Sequence, residues 1–91
     1  MELTARKIVF SGRVQGVGFR FTALNIASRY ELKGYVRNIP ASDVEMVVHG
    51  PAEAIDDCIR DLQDSFVGSI SHIDIEEATH DPKLTDFRIT F

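Results

Sequence analysis

KIVFSGRVQGVGFRFTAL, from Lys7 to Leu24, changes period part-way through. Its opening residues are β-branched and aromatic. Ile8 and Phe10 lie two apart, on one face of a strand that the pattern places from Lys7 to Arg13. From about Phe21 to Leu32 the spacing becomes helical. Ala23, Ala27 and Tyr30 recur at intervals of four and three, with Leu24 and Ile26 beside them. Gly34, just beyond Leu32 and Lys33, reads as the helix stop. A strand that feeds a helix through a glycine-rich turn is half of a β-α-β unit.

The rest of the chain repeats that unit. Tyr35 to Ile39 reads as a second strand, Pro40-Ala41-Ser42-Asp43 as a turn. Val44, Met46 and Val48 then alternate with Glu45, Val47 and His49, which predicts a third strand in a hairpin with the second. Gly50-Pro51 opens a helix whose apolar stripe is Ile55, Cys58, Ile59 and Leu62, ending near Ser65. Asp56, Asp57, Asp61 and Asp64 fall on its other side, a solvated face. Ile70 to Ala78 alternates around Ile73 and Ile75, His80-Asp81-Pro82-Lys83 reads as a loop, and Phe87, Ile89 and Phe91 make a last strand. The order predicts an α+β fold, a ferredoxin-like βαββαβ sandwich. Two helices pack on one face of an antiparallel sheet, with right-handed crossovers and a short extra C-terminal strand. At 91 residues, the expectation is a single domain over 1–91. That fold hosts many functions and selects none.

Composition removes several classes. Ten basic against fourteen acidic residues give a net charge of −4, and no basic run is interleaved with aromatics, which argues against a nucleic-acid partner. No apolar run approaches a membrane span, and MELTARKIVF lacks a signal-peptide pattern, so a cytoplasmic protein without a membrane partner is expected. The single cysteine, Cys58, allows no intrachain disulfide and reads as a buried thiol on the helix stripe. His49, His72 and His80 lack close ligand spacing, so no metal is expected. Glu76 and Glu77 would point to opposite faces of a strand and form no acid–base pair. Tyr35 is expected in the core, and a monomer is the simplest assembly.

The stretch from Val14 to Arg20 carries the chemistry. Glycines let the main chain take positive φ and approach another group closely. Successive N–H groups in such a turn can form an anion nest, and the helix that follows adds unpaired donors and the positive end of its dipole. Arg20 at the rim would match two phosphate oxygens at once. The same spacing also reads as a tight strand-to-helix turn with a solvated arginine, because short glycine motifs recur by chance. Neither of the common phosphate patterns fits. Gly18 is followed by Phe19 and Arg20 rather than Lys and a hydroxyl residue, and a dinucleotide fingerprint would need glycine at Phe21.

Gly12-Arg13-Val14-Gln15-Gly16-Val17-Gly18-Phe19-Arg20 and Gly34-Tyr35-Val36-Arg37-Asn38 together resemble the two motifs of the acylphosphatase family. Val44-Glu45, His49-Gly50-Pro51 and Asp86-Phe87-Arg88-Ile89 also fit. The resemblance spans nearly the whole chain and implies the ferredoxin-like fold already read. It implies hydrolysis of the carboxyl–phosphate bond of small acyl phosphates without metal or other cofactor. It puts the phosphate cradle on Gln15, Gly16, Val17, Gly18, Phe19 and Arg20, mainly through backbone N–H groups. It makes Arg20 the essential arginine and Asn38 the residue that positions water. Acetyl phosphate, carbamoyl phosphate and 1,3-bisphosphoglycerate are the substrates it leaves open. One departure is Ala41-Ser42 in the hairpin turn, where members often carry Asp-Gly, which bears on the turn geometry. Two other readings compete. One is a module that binds phosphate or a phosphorylated partner without turnover. The other is an RNA-binding sheet, for which Lys33-Gly34-Tyr35-Val36 begins correctly before Val36 and Arg37 break the pattern.

Overall fold

In the computed structural model, which describes residues 3–91, alternation becomes a sheet and the two apolar stripes become its cover. Strand β1 (Leu3–Gly12) buries Ile8 and Phe10 fully. It pairs antiparallel with β3 (Asp43–Pro51) on one side and β4 (Ile70–Glu77) on the other, so that Ile8 lies between Met46 and Ile75 and Phe10 between Val44 and Ile73. Strand β2 (Lys33–Ile39) pairs antiparallel with β3, with Val36 opposite Met46. Helix α1 (Phe19–Arg29) buries Phe19, Ala23, Ile26 and Ala27. Helix α2 (Ala52–Ser65) buries Ile55, Cys58, Ile59 and Leu62. These side chains join Ile8, Phe10, Val36, Val44, Met46 and Val48 in one core between sheet and helices. Ring packing of Phe19 against Phe10 and Phe66, at centroid separations of 5.0 and 4.8 Å, ties the start of α1 into that core.

The last strand, β5 (Phe87–Ile89), adds to the free side of β2, and it runs parallel: Gly34 faces Phe87 and Val36 faces Ile89. The sheet is therefore five-stranded and mixed, in the order β4-β1-β3-β2-β5, with only the first four strands antiparallel throughout. Because β4 and β5 occupy opposite edges, residues 78–86 must cross the sheet between them. That crossing brings His80 onto His49, their rings 4.8 Å apart.

Topology also decides what meets at each end. Strands β1 and β2 both run antiparallel to β3, so they finish at the same end of the sheet. Strand β5 finishes there as well, and α1, which leaves β1 and returns to β2, begins there. The turn after β1, the first turn of α1, the end of β2 and the residues after β5 are therefore neighbours.

Three local expectations are corrected. Helix α1 starts at Phe19, two residues earlier than its periodicity indicates, because Gly18 takes the left-handed N-cap conformation (φ 77°) and turns the chain at once. It ends at Arg29, and the stop is not Gly34. The N–H of Leu32 donates to the Ala27 carbonyl and that of Glu31 to the Ser28 carbonyl, with Glu31 at φ 57°, a Schellman closure made without glycine. Tyr35 lies outside the core, on the sheet face away from the helices. There its hydroxyl donates to Glu45 Oε1 at 3.2 Å. Glu45 and His49, on the sheet face away from the helices, are nonetheless both buried. Glu45 is covered by Arg37 and Tyr35, His49 by His80. Among the described residues no helix is long and apolar enough to cross a membrane.

Candidate active site

The turn from Arg13 to Gly18 is anchored at both ends and open in the middle. At its start the Arg13 N–H donates to the Ser69 carbonyl at 2.8 Å, and Val14 is buried. At its finish Phe19 drops into the core. Between these points Gly16 and Gly18 take φ of 76° and 77°. A Cβ at either would meet nothing within 4 Å, so the requirement is backbone conformation and not space. Among the described residues, none of the backbone N–H groups from Gln15 to Arg20 donates to a protein acceptor. The Gly18 carbonyl is occupied, accepting from the Thr22 N–H at 3.1 Å and the Thr22 hydroxyl at 3.0 Å. The Gly18 carbonyl is thus turned to the helix while the amides before it are left over, the polarity an anion requires.

Gln15 has a role that its motif position does not reveal. Its side-chain amide donates to the Ile39 carbonyl at 3.2 Å and the Asp43 carbonyl at 2.8 Å. It therefore fastens the turn to both ends of the β2–β3 connection, one residue from Asn38, and leaves its own N–H free. Asn38 shares the parity of Gly34 and Val36, which face the helices, but it stands past the end of the core and is exposed. Its side-chain amide makes no protein hydrogen bond among the described residues. Arg20 lies in the first turn of α1, half-buried, with its guanidinium 5.2 Å from the ring centroid of Phe91. The Thr90 N–H donates to the Val36 carbonyl at 2.9 Å, which holds the residues before Phe91 beside the end of β2. Among the described residues Arg20 has no carboxylate partner. Sequence reading gave no role to Phe91. The only available signal was an aromatic at the end of a short strand, and the contact depends on that strand pairing parallel to β2.

Other titratable groups are engaged elsewhere. Arg37 Nε donates to Glu45 Oε1 at 2.9 Å on the opposite sheet face, and this hydrogen bond raises the already high pKa of Arg37. Burial pushes the Cys58 thiol up to about 12, so it is inert as a nucleophile at neutral pH. The acidic side of α2 is less idle than expected: Asp61 accepts from the Tyr30 hydroxyl at 2.6 Å, and Asp56 pairs with Arg6 at 2.7 Å. Three hollows in the surface lie away from Asn38. One of about 380 Å³ is lined by Phe66, Gly68 and Ile73 beside β4, and two others lie near His80 at the far end. The unpartnered amides and Arg20 are the better guide, because a small anion is held by donors and not by an enclosed volume.

The family model for acylphosphatase matches residues 6–89. The chain belongs to the acylphosphatase family. It is 36% identical to an acylphosphatase of Alcanivorax borkumensis over 97% of this chain and 100% of the relative. It is 37% identical to one of Chlorobaculum tepidum over 90% of each. Its structure superposes on the crystal structure of acylphosphatase from Bacillus subtilis with a TM-score of 0.88, at 28% identity, over 99% of this chain and 100% of that one. The acylphosphatase activity, hydrolysis of acyl phosphates, therefore defines the enzyme class, and the RNA-binding reading is not favoured.

Proposed function

We propose that this acylphosphatase holds the phosphoryl group of a small acyl phosphate on the N–H groups of Gln15, Gly16, Val17, Gly18, Phe19 and Arg20, with the Arg20 guanidinium on its oxygens. Asn38 aims the attacking water. The observation that carries this is the run of amides between Gln15 and Arg20 that have no partner among the described residues, opening at the helix N-terminus beside an arginine with no carboxylate partner among them. Such donors are preorganised, and they stabilise charge as it shifts during the reaction.

The acyl phosphate already carries a good leaving group, so the protein has to supply position and charge. The Asn38 side-chain carbonyl accepts a hydrogen bond from the water. The water oxygen forms a bond to phosphorus as the bond between phosphorus and the carboxyl oxygen breaks, and the electron pair leaves with the carboxylate. An amide is too weak a base to take the proton, which passes to a phosphate oxygen. No metal enters this scheme, so activity should persist in chelator. The protein would act as a cytoplasmic monomer of one domain. Benzoyl phosphate hydrolysis, followed by absorbance, tests the assignment. Arg20→Gln should lose about 100- to 1000-fold in kcat, and Asn38→Ala about 100-fold, in proteins that still fold. Inorganic phosphate should compete. Near-normal turnover in either variant removes that residue from the mechanism, and phosphate binding without turnover in the wild type would favour the non-catalytic module.

A further inference from the structure

Arg20 is flanked by apolar side chains that the core does not use. Phe21 is 69% exposed, Val17 49% and Phe91 98%. Phe21 follows Phe19 by two helical positions, about 200° around the axis, so with Phe19 buried it must point away from the core. It packs against none of the rings that Phe10, Phe19 and Phe66 bring together. Its side chain has no donor with which to hold phosphate. A large aromatic left in water beside a charged site marks a surface that something apolar covers.

We propose that Phe21, with Val17, forms an apolar rim that receives the acyl part of the substrate, so that the enzyme favours acyl phosphates with aromatic or extended aliphatic acyl groups. This rests on the reading of Arg20 and Asn38 given above, and deepens it. The argument is one of direction. The phosphoryl end is held by the turn, and water attacks from the side of Asn38. In-line displacement then sends the carboxylate out on the side opposite β2, away from Asn38. There the group attached to it leaves through the open mouth of the turn, and Val17 and Phe21 are the apolar side chains that the turn and the first helical turn present to solvent, with Arg13 exposed at the start of the turn. Neither attracts a charged or heavily hydroxylated acyl group. Both gain from partial burial under a hydrocarbon one, and Phe21 adds ring-to-ring packing for an aromatic acyl group.

Steady-state kinetics with benzoyl phosphate and acetyl phosphate test this on the full chain. The ratio of their kcat/KM values should fall about five-fold in Phe21→Ser, through a higher KM for benzoyl phosphate, and should return in Phe21→Leu. Inorganic phosphate, which has no acyl group, serves as the internal reference. An unchanged ratio, or a rise in the phosphate inhibition constant equal to the rise in KM for benzoyl phosphate, overturns the rim. Failure of the underlying site reads differently, since Arg20→Gln would then keep its activity on both substrates.

Discussion

Arg20 and Arg37 come from the two glycine-bearing motifs and end on opposite faces of the same sheet. Arg37 lies on the open face, its Nε 2.9 Å from Glu45 Oε1. The same oxygen accepts from the Tyr35 hydroxyl, and Lys7 Nζ stands 3.9 Å from Oε2. Arg20 lies at the end of the helix face, against the ring of Phe91, beside amides without acceptors. A cation whose charge is already answered has little left to offer a ligand. A cation set next to more donors, against an aromatic ring and with no carboxylate partner among the described residues, has its charge in reserve. On the proposed reading, the difference between the two arginines separates structure from function within motifs that look alike in sequence.

The sharpest way to break that contrast is to neutralise each arginine in turn. Arg20→Gln should cost about 100- to 1000-fold in kcat on benzoyl phosphate. Arg37→Gln should leave kcat/KM within about two-fold, because its contacts lie on the other face. Arg37→Gln should instead lower Tm, since it removes a charge-assisted hydrogen bond from the buried Glu45. Comparable losses of turnover in both variants would erase the distinction.

The contrast was half legible in the sequence. Periodicity located every strand and both helices, and the parity of Val36 and Asn38 against Tyr35 and Arg37 follows from the two-residue repeat of a strand. What it could not supply was pairing. The parallel addition of β5 puts Phe91 beside Arg20, and no local pattern encodes which edge a three-residue strand will join. The Gln15 clamp was hidden for a similar reason, as its two acceptors are carbonyls more than twenty residues away. The helix start was missed by two residues because Phe19 counts equally well as a loop aromatic until the left-handed Gly18 is known. The assignment of Arg20 and Asn38 came through the family resemblance, since spacing alone left the solvated-turn reading open.

The far end of the sheet sharpens the comparison in another way. His49 is 4% exposed, and neither ring nitrogen has a partner among the described residues. Burial lowers its pKa first, the neighbouring His80 lowers it further, and Asp81 opposes with a smaller upward pull. The folded pKa therefore lies below the unfolded one, near 6.5. Above that value both states are neutral at this site and stability does not depend on it. As pH falls below it, the unfolded chain binds a proton that the folded chain refuses, and stability drops until the folded pKa is reached. Tm measured from pH 7.5 to 5 should decline below about 6.5. The decline should be shallower in His49→Gln, and the acid-side slope should also soften in His80→Ala. Equal slopes in all three proteins would show that other groups set the acid limit. An acid loss of stability without a matching loss of initial rate at low temperature keeps the two ends distinct.

The smallest expected effect lies in the turn beside Asn38. Ala41 and Ser42 hold φ of 72° and 63° in the three-residue loop between the paired Ile39 and Asp43, a left-handed conformation that Gly or Asn adopts at least cost. Here the geometry is kept with residues that oppose it. Gln15 donates to the carbonyls of Ile39 and Asp43 on either side, and so fixes the turn from without. Ser42→Gly should relieve the strained conformation while loosening the unfolded chain, a net gain of about 0.5–1 kcal/mol, read as a higher denaturation midpoint at unchanged m. Its effect on turnover decides what the strain is for. If the turn only closes the hairpin, kcat stays constant. If the tension between Gln15 and the turn holds Asn38 in position, the more stable variant is the slower enzyme, and KM for benzoyl phosphate remains where it was.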